Sequence, residues 1–231
     1  ASAALEYFED ALQQREDDGV LLNIALQAAL AKGDIKRAIS LAPKVIERDD
    51  DSSTAHLVMA IDALSKRDYA AARSNVEKTA ENGFNVLLKP LLMSWIKLGQ
   101  GDIDGSFAEL NALDKYNGFE ALKQYQSALL SDVSGDKKLA DLNFEAAIAG
   151  PSGRAVRLVQ AYGAYLDRNG RQTEARKLFD NYIAQYPLSP TILLEIADLE
   201  AGRPLTPIAK DPIEGAAEAL YSAASIIGQE R

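Results

Sequence analysis

The sequence has no cysteine, one histidine, one tryptophan and two methionines. No disulfide framework, thiolate nucleophile or cysteine-ligated zinc or iron–sulfur site can be built from it, and one histidine cannot make a histidine-rich metal site. Both reducing and oxidising compartments tolerate a chain without cysteine, so this absence does not locate the protein. Long hydrophobic runs are missing too. Val86 to Leu88 and Leu91 to Met93 fall far short of the ~20 residues that span a bilayer. Basic charge is outweighed, with 25 Lys and Arg against 34 Asp and Glu and a net charge of −9. The resulting field repels phosphate backbones and anionic lipid, so nucleic acid and membrane insertion are excluded as expectations. Ala1 to Asp10 carries acids instead of the basic start of a signal peptide.

What the chain does have is alanine and leucine in a composition that is 47% hydrophobic. That favours soluble helical structure with enough apolar surface to bury a core. At ~150 residues per domain the length suggests one or two globules, but that division fails for repeat arrays. A repeat is present. The turn-like pairs Gly33-Asp34, Arg67-Asp68, Gly101-Asp102 and Gly135-Asp136 recur every 34 residues, and Gly170-Arg171 follows after 35. A small residue stands at one place after each turn: Ala38, Ala72, Ser106, Ala140 and Ala175, with Ala4 in the same register. Four residues on come Phe8, Ala42, Val76, Leu110, Phe144 and Phe179, and three further Ala11, Val45, Thr79, Leu113, Ala147 and Tyr182. Positions i, i+4 and i+7 share one helix face, so a helix follows each turn. Apolar or small residues at helical spacing also precede the turns, as in Leu22, Ala25, Leu26 and Ala29. Each unit is therefore a first helix, a short turn and a second helix.

In these residues the chain resembles the tetratricopeptide repeat (TPR) family. The unit from Val156 to Ser189 matches best, with Gly163, Ala175, Phe179 and Pro187 in their slots, while elsewhere Arg67 replaces Gly, Ser106 replaces Ala and Asp50 replaces Pro. The resemblance implies an all-α, right-handed superhelical solenoid of antiparallel helix pairs. Its expected organisation is a second helix of an incomplete repeat at 1–18, repeats at 19–52 and 53–86, degenerate repeats at 87–120 and 121–155, the best-matching repeat at 156–189, and a short helix, Pro-rich break and C-terminal helix of an incomplete repeat at 190–231. Both ends look cut, as if from a longer protein. "LEAGRPLTP" from Leu199 to Pro207 and the alanine-rich stretch from Glu214 to Glu230 are similar to large exported TPR proteins of Gram-negative bacteria. That similarity implies a periplasmic protein; a cytoplasmic one is the alternative.

Two units depart from the pattern. In the first helices of 87–120 and 121–155 the apolar stripe falls on Leu88, Leu91, Leu92 and Trp95, and on Leu122, Tyr125 and Leu129, where the template's core slots would hold Pro90, Met93, Ser94 and Lys97. Either the two intra-repeat turns are two residues longer and the stripe is core, or the register is strict and Leu91, Trp95, Tyr125 and Leu129 face a concave surface.

Little in the chain supports chemistry. His56 lies on a core face beside Met59, Ala60 and Ala63, and no second histidine completes a site. The acid clusters Glu16-Asp17-Asp18 and Asp49-Asp50-Asp51 lack the spacing, central Gly and distal Glu of a calcium loop and read as solvated helix caps. A Ser-His-Asp triad could draw only on His56, and the glycine-rich stretches Gly99 to Gly105 and Gly150 to Gly153 lack a phosphate-loop lysine. A hydrolytic enzyme is thus the least favoured class, and no cofactor is expected.

The leading expectation is a non-catalytic scaffold that binds a peptide or helix of a partner protein on its concave surface. The groove candidates are Asn23, Gln27, Leu57, Ile61, Leu64, Trp95, Tyr125, Arg157 and Gln160, with Ala164 and Asp167 on the same face. The Lys and Asn set that clamps a C-terminal carboxylate in some family members is absent. Arg154, Arg157, Arg168 and Arg171 could dock an acidic segment or simply form a solvated face. Self-association through terminal helices is the alternative.

Overall fold

The computed structural model describes residues 18–150 and 155–229, with side chains to residue 226. The expected half-repeat slots Ala4, Phe8 and Ala11, and Arg154, lie outside the described residues. Within them the chain is all-α, with twelve α-helices and no strand. In order these are α1 (Gly19–Lys32), α2 (Ile35–Arg48), α3 (Ser53–Ser65), α4 (Tyr69–Glu77), α5 (Asn85–Gly99), α6 (Ile103–Leu110), α7 (Glu120–Ser134), α8 (Lys137–Ala149), α9 (Val156–Arg168), α10 (Gln172–Gln185), α11 (Pro190–Glu200) and α12 (Pro212–Gln229). A 3₁₀ turn, Asn111–Lys115, extends α6. The residues to Lys89 form one compact unit and those from Pro90 a second.

The repeating Gly-Asp pair has a direct cause. Gly33, Gly101, Gly135 and Gly170 all take left-handed backbone, at φ 72°, 82°, 82° and 75°. That conformation ends a helix at no Cβ cost. Arg67 holds the same place at φ 61°, where a side chain is strained. The aspartate that follows caps the next helix: Asp34, Asp68, Asp102 and Asp136 accept from the amides of Arg37, Ala71, Gly105 and Leu139 at 2.9–3.0 Å. The fifth turn has Arg171 there and no side-chain cap. Of the two acid clusters, Asp18 caps α1 through the amides of Val20 and Leu21.

The slots that follow each turn are the core. Ala38, Ala72, Ser106, Ala140 and Ala175 are buried, as are Ala42, Val76, Leu110, Phe144 and Phe179. Close approach of the two helices of a repeat is seen at Gly163. Gly163 of α9 lies against the Phe179 ring, and a Cβ there would overlap it. Phe144 stacks on Tyr162 with centroids 5.0 Å apart and planes at 10°.

In the first unit α1 to α3 close over Leu22, Leu26, Leu41, Val45, Ala55 and Val58. His56 is 2% exposed and sits among them. Its Nδ1 lies 2.9 Å from Asn75 Oδ1 and its Nε2 2.8 Å from the Asp50 carbonyl. It is a buried core histidine whose ring nitrogens both face oxygen acceptors within the chain. Nearby, Lys78 holds Asp50 at 2.7 Å, and their hydrogen bond keeps the Asp50 carboxyl below the ordinary range.

In the second unit Val159, Ala164, Phe179, Ile192 and Leu205 share a cluster, so the Pro-rich stretch contributes to the core. Its end differs from expectation. Pro204, Pro207 and Pro212 place the expected break over Gly202 to Glu214 and the last helix from about Gly215, whereas α12 begins at Pro212. Proline fits the first helical position, where its missing N–H is not needed. Asp211 caps the turn by accepting from Ile213 and Glu214, and Glu214 accepts from the Lys210 amide at 2.9 Å. The buried face of α12 is Gly215, Ala216, Glu218, Ala219 and Ala223. The sequence spacing predicts a stripe of Leu220, Ala223, Ala224 and Ile227; the Ile227 side chain lies outside the described residues, and of the rest only Ala223 is on the buried face, since Leu220 is half-buried and Ala224 exposed.

Candidate functional site

Counted back from the five turns, the same two positions of each first helix are Asn23 and Gln27, Leu57 and Ile61, Leu91 and Trp95, Tyr125 and Leu129, and Gln160 and Ala164. The turn geometry is alike in all five. The two units differ in what covers these positions.

In the first unit they are open. Gln27 is exposed, Ile61 is 39% exposed, and Asn23 and Leu57 are half-buried. Gln27 Nε2 donates to Thr54 Oγ1 at 3.3 Å, which ties the two first helices together on this side. A cleft of about 700 Å³ flanks α1, lined by Val20, Asn23, Ile24 and Gln27 together with Val45, Arg48 and Asp49. The Asn23 Oδ1 in it is buried and finds no hydrogen-bond partner among the described residues, which leaves an acceptor without a donor. Leu64 is a correction, since it is 3% exposed and belongs to the core of α3.

In the second unit the chain itself covers the equivalent positions. Trp95 is wholly buried, its indole N–H donating to Gln126 Oε1 at 2.9 Å. The backbone of Gly215 lies flat against its ring, so that any Cβ would overlap it. Tyr125 donates to Glu218 Oε1 at 2.9 Å. Burial, then the Glu218 charge, pushes its hydroxyl far above the ordinary range. Arg157 closes the cluster with Nε 3.2 Å from Glu218 Oε1 and Nη2 on Oε2. That hydrogen bond holds the guanidinium above its usual range. Its Cζ lies 5.3 Å from the Tyr221 ring centroid, within reach of a cation–π attraction. Gln160 donates to Glu195 of α11 at 2.9 Å, while burial raises the Glu195 carboxyl. Asp167 accepts from the Leu205 amide at 3.0 Å.

Trp95, Tyr125, Arg157 and Gln160 therefore stand on one side of the second unit, but they do not form an open groove. Helices α11 and α12 and Leu205 occupy it. The choice posed for Leu91, Trp95, Tyr125 and Leu129 resolves in neither of its stated forms. The turns are no longer than the others, since α5 and α7 end at Gly99 and Ser134 just before Gly101 and Gly135. Pro90, Met93 and Ser94 are buried in the template slots. Leu91, Trp95, Tyr125 and Leu129 are buried as well, with Gly215 of α12 against Trp95 and Glu218 on Tyr125.

The arginine cluster is also spoken for. Arg168 makes two 2.7 Å bonds to Asp132, and Arg171 pairs with Asp141 and Glu174. With Arg157 on Glu218, the described members are neutralised within the chain and offer no free basic patch to an acidic segment. Among the described residues no group of three or more His, Asp or Glu could hold a metal ion, and no helix is long and apolar enough to cross a membrane. What sequence reasoning missed was Glu218, a buried acid 4% exposed; its signal was a charge on the small-residue face of α12.

Residues 156–199 match the tetratricopeptide repeat family model. Among solved structures the chain is similar to YrrB, described as a TPR protein with an unusual peptide-binding site, at 15% identity and a TM-score of 0.51, covering 83% of this chain and 98% of that one. It also matches TTC0263, a thermophilic TPR protein in Thermus thermophilus, at 18% identity and a TM-score of 0.41, over 87% of this chain and 90% of that one. The TPR domain of P58(IPK) aligns at 17% identity and a TM-score of 0.33, covering 99% of this chain and 79% of that one. No curated protein matches in sequence. At such identities the YrrB likeness establishes the fold, antiparallel helix pairs of the TPR type.

Proposed function

We propose, on the premise of this TPR-type fold, that the chain is a non-catalytic protein-interaction scaffold whose first unit binds a peptide or helix across α1 and α3. The observation that carries the reading is the open row of Asn23, Gln27, Leu57 and Ile61 beside the orphaned Asn23 carbonyl. Leu57 and Ile61 supply apolar anchors, and the two amides supply backbone hydrogen bonds. YrrB, whose structure carries a peptide-binding site, lends the reading support by fold.

Selection of displayed peptides against the whole chain tests it. Peptides that bind the wild type are expected to lose at least tenfold in affinity for Leu57→Glu with Ile61→Glu, with helical circular dichroism unchanged and Lys44→Glu on α2 without effect. Equal binding to the wild type and both variants would place the site elsewhere, and a collapsed melt would show Leu57 and Ile61 to be core.

A second reading is self-association. Leu188, Leu193 and Leu194 are 91%, 44% and 62% exposed around the start of α11. Light scattering at rising concentration separates the readings, because a constant monomer mass contradicts this one. The resemblance of 199–230 to exported bacterial proteins suggests a periplasmic location. Fractionation of the intact protein from its host tests that, and recovery from the cytoplasm would contradict it.

A further inference from the structure

The side of the second unit where α12 seats on Trp95 and Tyr125 is richer in apolar and aromatic side chains than the open row of the first unit. Leu91, Trp95, Tyr125 and Leu129 stand where the first unit has Asn23, Gln27, Leu57 and Ile61. What lies on the seat is unusual in the opposite sense. Among the buried residues of α12 none has a side chain larger than alanine except Glu218, and at the exposed edge Tyr221 lies over the Arg157 guanidinium. Alanines remove little apolar area from water, so each contributes a fraction of what a leucine would. Its main polar anchor is Glu218, a buried acid paired with the part-exposed Arg157 and hydrogen-bonded by Tyr125. The loss of hydration offsets much of the attraction in such a pair, which then fixes position more than it adds stability. The connection back to α11, Gly202 to Asp211, contains Pro204 and Pro207 and no helix. Its hold on the seat includes Leu205, which the core of α9 to α11 retains whether or not α12 is docked.

We propose that this side of the second unit is a helix-recognition site, filled in cis by α12, and that a partner helix repeating α12's pattern takes its place. The pattern is a glycine against Trp95, a glutamate three residues on against Arg157 and Tyr125, and alanine on the adjoining positions of the same face. A larger side chain at the glycine is refused by the indole, and a helix lacking the glutamate leaves the buried Tyr125 hydroxyl without its acceptor and the part-exposed Arg157 without its counter-charge. The site is separate from the row proposed above and stands or falls independently of it. A short tether gives α12 an effective concentration on the order of millimolar. A competing helix therefore binds the resting chain weakly and a chain with α12 displaced much more strongly.

The experiment uses the whole chain and a labelled synthetic peptide of residues 210–226. In a Gly215→Leu chain the bulky side chain expels α12 from Trp95. The expected result is that this variant keeps a cooperative melt and binds the peptide at least tenfold more tightly than the wild type does. A peptide with Glu218→Arg should bind neither chain, and adding Arg157→Glu to the variant should restore it. A folded variant that ignores the peptide, or a charge-reversed pair that is not rescued, overturns the proposal. So does a variant dimer that excludes the peptide, because the seat then belongs to a second copy. Because Gly215→Leu could unfold the unit, hydrogen exchange of the wild type gives an independent test. The amides of α12 are expected to exchange by local opening at least tenfold faster than those of α9, and protection equal to α9 overturns the proposal.

Discussion

At the scale of single residues, the core is legible in the sequence and the fate of the groove candidates only half so. Phe144 and Phe179 fall in the repeating slot and are buried, because helix periodicity is a local property that a short stretch of sequence displays. Each is expected to cost about 3–5 kcal/mol when replaced by alanine. Chemical denaturation checks this, and a loss under about 1 kcal/mol at both would undo the repeat frame. His56 makes a matching case. Both ring nitrogens face oxygen acceptors, and the Asn75 amide nitrogen is committed to the Ala71 carbonyl, which orients the asparagine oxygen toward the ring. His56→Leu leaves two acceptors facing an apolar side chain and is expected to lower stability by about 2–3 kcal/mol; a neutral result would show that water replaces the ring. Trp95 and Tyr125 could not be placed in the same way. Their burial depends on Gly215 and Glu218, far along the chain, and no local spacing reports what a distant segment covers.

The elements follow from their ends. Four of the five intra-repeat turns combine a left-handed glycine or Arg67 with a capping aspartate. The turn spacing is legible because this chemistry needs those two residue types and little else. Gly135 has open space around its missing Cβ, so Gly135→Ala tests backbone conformation without a steric contribution. It is expected to cost about 1–2 kcal/mol, read by thermal or urea unfolding, and no change would mean that the turn relaxes out of the left-handed region. The start of α12 escapes a reading of the sequence because proline breaks a helix interior but suits a first turn. Only the cap formed by Asp211 distinguishes the two. The stripe of α5 and α7 misleads for the converse reason: an apolar face at helical spacing announces burial but does not name what buries it.

For the whole molecule, a set of repeats with one turn geometry presents two surfaces of different character. In the first unit the row through Asn23, Gln27, Leu57 and Ile61 is open, and in the second its counterpart is occupied by the chain's own C-terminal helix. The scaffold reading rests on that open row. Chemical-shift mapping with a selected peptide addresses it most directly: perturbed amides and side chains are expected to cluster on α1 and α3 around Asn23, Gln27, Leu57 and Ile61, with α2 and α4 unaffected on their outer faces. Perturbations confined to α2 and α4, or none in the first unit, would contradict the account.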